Sequence, residues 1–145
     1  MAVSRVLRRL RRVRELEEEQ QRLALEAALS DLHVLQAAQQ GARERGREGR
    51  RLIIASVQTG EVADRAAGIE EMRAAQRRAD WLEASVEEAL QRVNDLRKAY
   101  LSVRVERRQA ETLIEEAEAR DRLEDLRKGQ QNLDDWHRAR AARKH

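Results

Sequence analysis

The sequence predicts an all-α fold: a long antiparallel two-helix coiled coil, or helical hairpin, with a C-terminal helical overhang. Three observations carry this reading. Ala79, Leu82, Val86, Ala89, Val93, Leu96, Tyr100, Val103, Arg107, Ala110, Ile114 and Ala117 follow one another in alternating steps of 3 and 4, and only Arg107 among them is neither apolar nor aromatic. Charged residues make up 39% of the chain and aromatics 2%, which suits a long thin core better than a compact one. Apolar steps in the first half of the chain also pair with that run at a nearly constant index sum, centred on Gly60.

A chain of 145 residues is long enough for one domain. It has no Pro, so nothing forces a kink, and it has no alternating β-branched run or Asn-Gly turn. Its 30 basic and 27 acidic residues leave a net charge of +3, a mixed balance and not a polycationic one. With no Cys there is no disulfide framework or thiolate metal site. No run of about 18 apolar residues is present, so no transmembrane segment is expected. The Arg-rich start lacks the apolar stretch of a signal peptide, and a cytoplasmic protein is expected.

Helix one is expected over about 2–58. Val3, Val6, Leu10 and Val13 set a first phase that continues through Glu17, Gln20 and Ala24. One residue later a second run follows: Leu25, Ala28, Leu32, Leu35, Gln39 and Ala42. Antiparallel partners share an index sum. Val3 with Ala117, Val6 with Ile114, Leu10 with Ala110 and Val13 with Arg107 sum to 120; Ala28 with Val93, Leu32 with Ala89, Leu35 with Val86 and Ala42 with Ala79 sum to 121. In this register the basic run Arg5, Arg8, Arg9, Arg11 and Arg12 lies beside Glu111, Glu115, Glu116 and Glu118, and Glu15 to Glu19 lie beside Arg104, Arg107 and Arg108. Arg107 is expected to pack its stem in the seam and reach Glu17 or Glu111, fixing register, with Gln20 against Tyr100 as a second polar layer.

The turn is expected at about 58–61, where Gly60 is free to take positive φ. Near it, Gly46, Gly49 and Gly68 fall in seam phase and fit either closely packed helices or a pliable tip. Leu52, Ile53, Ile54, Val57, Val62 and Ile69 are available to close the end. Helix two is expected over about 62–141, with Trp81 turned outward. At about 1.5 Å per residue the hairpin would measure roughly 85 Å and the overhang from Arg120 up to roughly 40 Å more. The overhang carries its own stripe, Leu123, Leu126, Leu133 and Trp136, which reads as a partner-binding face.

Residue types that do chemistry are scattered. His33, His137 and His145 have no ligand spacing, the glycines form no phosphate loop, and no hydroxyl sits in a nucleophile elbow. No catalysis, metal or cofactor is expected. The Arg-rich start raises nucleic acid or an anionic membrane as a partner. Its apolar side is assigned to the seam and acidic residues to the facing helix, so a solvated, paired face is the preferred reading and no nucleic acid is expected.

Two stretches resemble the FliJ family, the central stalk proteins of the flagellar type III export ATPase. Ser4-Arg5-Val6-Leu7-Arg8-Arg9-Leu10-Arg11-Arg12-Val13-Arg14-Glu15 is similar to that family's basic-apolar opening. Leu126-Arg127-Lys128-Gly129-Gln130-Gln131-Asn132-Leu133-Asp134-Asp135-Trp136 is similar to its ending of the form R-K-E-Q-K-x-L-D-E, with Gly129 and Asn132 as departures. The resemblance implies a non-catalytic, monomeric stalk that inserts into the hexameric export ATPase and promotes its assembly and activity. It also implies contact with the export gate protein FlhA and with export chaperones, at the cytoplasmic side of the inner membrane. The ATPase end would be the basic N-terminus with the overhang, with Arg127, Gln130, Leu133, Asp134 and Trp136 as contacts; the gate end would use Gln39, Ala42, Met72 and Trp81. Alternatives are a YscO-type stalk of a virulence type III secretion system, a homodimeric coiled-coil scaffold, and a nucleic-acid or membrane-surface binder using the Arg run.

Overall fold

The structure, a computed structural model, describes residues 2–144, with side-chain surroundings from residue 5 onward. Helix α1 spans Ala2–Thr59 and helix α2 spans Val62–Arg143. The two pack against each other as a helical hairpin, and no strand occurs among the described residues. Gly60 takes φ +75, and its N–H donates to the Ser56 carbonyl at 2.8 Å. That single bond back to the last turn is the left-handed ending that favours Gly. Asp64 in the first turn of α2 suits the positive end of that helix.

The chain divides into two compact units, one of Met1–Gln20 with Leu101–His145 and one of Gln21–Tyr100. In the second unit Ala28, Leu32 and Val93 form a buried cluster packed by Leu25, Leu29, Val86, Ala89 and Leu96. This is the expected register: Ala28 with Val93, Leu32 with Ala89 and Leu25 with Leu96 all sum to 121. Nearer the turn the seam narrows. A Cβ placed on Gly46 would stand 3.6 Å from the Ala75 Cβ. At Gly49 a Cβ would lie 2.9 Å from the Gly68 carbonyl oxygen, and at Gly68 one would lie 2.7 Å from Ile53 Cγ1 and 2.8 Å from the Gly49 carbonyl oxygen. Gly49 and Gly68 thus bring the two backbones into direct contact, which resolves the two sequence readings in favour of close packing. Ser56, also buried, donates its hydroxyl proton to the Ile53 carbonyl at 2.7 Å. The apolar closure expected at the end is only partial: Ile53 and Ile69 are half-buried, whereas Leu52, Ile54, Val57 and Val62 are exposed.

In the first unit α2 presents Val103, Arg107, Ala110, Ile114 and Ala117 inward, as its heptads require. The α1 side departs from expectation. Val6 is 70% exposed and Val13 45% exposed, so neither is a seam residue. Leu7, Leu10, Arg14, Glu17 and Glu18 are the inward ones. Leu10 and Ala110 are inward as expected, whereas Leu7 and Arg14 take the inward places expected for Val6 and Val13. The Val3–Ala117 pairing falls on a side chain outside the described residues.

Ion pairs explain how polar residues hold these inward positions. Arg14 donates to Glu106 at 2.8 Å and to Glu17 at 3.0 Å. Arg107 pairs with Glu18 and with Glu111, the latter at 2.6 Å. Glu18 takes the place expected for Glu17. Burial pulls the Arg107 pKa down, and the Glu18 and Glu111 carboxylates more than reverse this, so the guanidinium stays charged. Gln20 is exposed, and the polar residue at Tyr100's index sum is Gln21 of the second unit, whose buried Oε1 has no hydrogen-bond partner. Of the basic run only Arg11 finds carboxylates: it bonds Glu15 at 3.1 Å, and Glu15 foremost, then Glu111 and Glu118, raise its pKa.

Candidate interaction surfaces

The overhang leaves the hairpin contact altogether. Ala117 is half-buried, and from Glu118 to Arg143 every residue is exposed on a continuous helix. Leu123 is 50% exposed, Leu126 71%, and Leu133 and Trp136 56% each. Extending the α2 seam beyond Ala117 in the same steps reaches Asp121, Glu124 and Lys128, all polar. The apolar stripe begins two residues after Asp121, which turns it by about 200° from the seam. It is therefore not a longer version of the surface that holds α1. The Arg140 guanidinium stands 5.2 Å from the Trp136 ring centroid, and His137 meets that ring edge-on at 5.2 Å. Arg127, Gln130, Leu133, Asp134 and Trp136 all lie on this helix and are all exposed, as a contact role needs.

The four residues expected at the other end are placed less uniformly. Trp81 is 68% exposed, as its position one residue before Leu82 requires. Ala42 is buried, and Gln39 and Met72 are half-buried in the seam. Ala42 and Met72 lie at the floor of shallow surfaces beside the seam. On one side Ala42, Arg45, Ala74, Ala75, Arg77 and Trp81 outline an open groove of about 450 Å³. On the other, Ala42, Gly46, Met72 and Ala75 underlie a groove of about 260 Å³ walled by Arg43, Arg47 and Arg50. The grooves exist because Ala and Gly fill the seam here, and small side chains leave both edges of the helix pair hollow. Arg47 pairs with Glu44 at 2.9 Å on the smaller groove, and the larger one exposes Trp81, Arg45, Arg77 and Arg78 together with Glu71.

Sequence reasoning missed a further surface on α1. In the first unit Val6, Val13 and Leu16 are exposed, and in the second Leu23, Ala27, Val34 and Ala37 are exposed, at the same alternating spacing. The signal was present as a second 3–4 series, but it shares its period with the true seam. At the turn, Glu61 has no basic partner among the described residues, and the neighbouring Asp64 carboxyl raises its pKa.

Among the described residues no group of His, Cys, Asp or Glu side chains is placed to hold a metal, and no helix is long and apolar enough to cross a membrane. Comparison of the chain with protein-family models, with curated proteins and with solved structures returned no match.

Proposed function

We propose that this chain is a non-catalytic stalk of the FliJ type in a type III protein export apparatus. In this reading its overhang enters the hexameric export ATPase and promotes assembly and ATP hydrolysis. Its turn-proximal half, through Trp81 and the adjoining groove, reaches the export gate protein FlhA, and chaperones dock along the exposed faces. The protein works on the cytoplasmic side, peripherally associated with the inner membrane.

One observation carries most of the weight: a helical end whose apolar stripe is exposed and turned away from the internal seam. A helix in water gains nothing by keeping Leu123, Leu126, Leu133 and Trp136 on one face unless a partner covers them. Trp is also the residue type most enriched at binding hot spots. The test is a pull-down with the cognate export ATPase at low salt. The wild-type chain is expected to bind, and Leu126→Asp/Leu133→Asp to lose binding while keeping its helicity. Absence of wild-type binding would sink the reading.

A second reading is a homodimeric scaffold, favoured by the exposed α1 series Leu23, Ala27, Val34 and Ala37. Light scattering separates the two. A stalk of this type is a monomer, and a dimer that Val34→Glu dissolves would favour the scaffold.

A further inference from the structure

The first turns of α1 carry an outward face that the hairpin does not use. At about 100° per residue, Arg5, Val6, Arg9, Arg12, Val13 and Leu16 fall within an arc of about 120°, turned away from Leu7, Leu10 and Arg14 in the seam. Val6 is 70%, Val13 45% and Leu16 59% exposed. No acidic residue between 5 and 16 lies in this arc; Glu15 sits outside it, on Arg11. Glu111 and Glu118 of α2 also act on Arg11, at the far edge from this face. Among the described residues Arg5, Arg9 and Arg12 have no carboxylate within ion-pair distance, and neither does Arg8 beside them.

Fixed cations interleaved with exposed aliphatic side chains on one helix face make an interfacial membrane anchor. The guanidinium groups attract anionic headgroups, while the aliphatic side chains reach the boundary with the acyl chains. The geometry points to docking of this α1 face on a bilayer surface rich in anionic phospholipid. A nucleic acid would satisfy the arginines but would leave Val6, Val13 and Leu16 in water. This anchor uses none of the overhang residues, but it lies on the basic N-terminus that the stalk reading assigns to the ATPase end, so bilayer and ATPase would compete for this face.

The test is co-sedimentation of the full chain with vesicles of phosphatidylglycerol mixed into phosphatidylcholine, against vesicles of phosphatidylcholine alone. The wild-type chain is expected to sediment only with the anionic vesicles, and less as salt rises. Arg5→Gln/Arg9→Gln/Arg12→Gln should weaken partitioning by about a hundredfold, three basic groups each worth roughly fivefold near an anionic surface. Val6→Ser/Val13→Ser/Leu16→Ser should weaken vesicle binding several-fold and leave any duplex DNA binding unchanged. Leu126→Asp/Leu133→Asp should sediment like wild type, so loss of the ATPase contact and loss of the anchor are separable. Equal binding to both vesicle types, or full vesicle binding by the arginine variant, overturns the proposal. So does a serine variant that binds vesicles as well as wild type, since the face would then be a general polyanion surface. All of these substitutions fall on exposed positions, and circular dichroism confirms that each variant remains helical.

Discussion

The close backbone approach between Gly49 and Gly68 makes a decisive stability test. Replacing Gly by Ala inside a helix normally stabilises it by about 1 kcal/mol, through backbone entropy. Gly41 meets that condition: it is exposed, and a Cβ there would touch nothing within 4 Å. Gly68 does not. Its Cβ would fall 2.7 Å from Ile53 Cγ1 and 2.8 Å from a backbone oxygen of the facing helix. Carbon atoms pack best at about 3.5–4.0 Å, so the helices would have to part by roughly 0.8 Å or more. Overpacking of this kind costs about 1–3 kcal/mol, and contact with backbone, which cannot rotate away, belongs near the upper end. Gly68→Ala is therefore expected to destabilise the protein by a net of about 2 kcal/mol, and Gly49→Ala by about 1 kcal/mol. Each kcal/mol moves the melting temperature by about 2–4 °C in a chain of this size. Thermal melts followed by circular dichroism would show Gly41→Ala melting higher than wild type and the other two lower. A rise in all three would refute the close backbone contact and return the glycines to the role of a pliable tip.

Two further tests address the charged layers. Arg107→Leu alone leaves Glu18, only 17% exposed at its side chain, without its partner, and should lower the melting temperature; adding Glu18→Leu should restore it to the wild-type value or above. A single variant that melts higher than the double would contradict the pairing. At the turn, Glu61 should titrate above the usual carboxylate range in an NMR pH series. Because its folded-state pKa is raised, its contribution to stability is full below the ordinary glutamate value and is lost as pH rises through the raised one. Glu61→Gln keeps a hydrogen-bonding group without the like charge and should abolish that dependence, whereas an unchanged pH profile would separate Glu61 from Asp64.

The sequence was most legible where apolar residues had no competing phase. All twelve positions of the α2 run from Ala79 to Ala117 are buried or half-buried, and the α1 run from Ala28 to Ala42 meets it in the expected register. Gly60 was legible because only one residue near the centre of the pairing tolerates its φ. The first turns of α1 were misread for a physical reason. Two series with the same period run there, one residue apart and sharing Leu10 and Glu17. The apolar one, with Val6 and Val13, is outside, while Leu7, Arg14 and Glu17 are inside. Hydrophobicity alone selects the wrong series, because the inward Arg14 is tolerated only through Glu17 and Glu106, partners that a one-dimensional pattern does not contain. Close packing at Gly49 and Gly68 was equally hidden, since the same glycines also fit a loosened helix pair. Of the candidate contacts, the overhang residues and Trp81 are exposed as expected. Ala42 is buried and Met72 half-buried, because both fall at seam positions among small residues.

The central claim is that the overhang acts on an export ATPase. Its most direct test is the rate of ATP hydrolysis by the cognate enzyme, titrated with the wild-type chain and with Leu126→Asp/Leu133→Asp. The account predicts stimulation that saturates with wild type and is absent with the variant, although both melt at the same temperature because these side chains are exposed. Equal stimulation by the two proteins, or none by either, would contradict it.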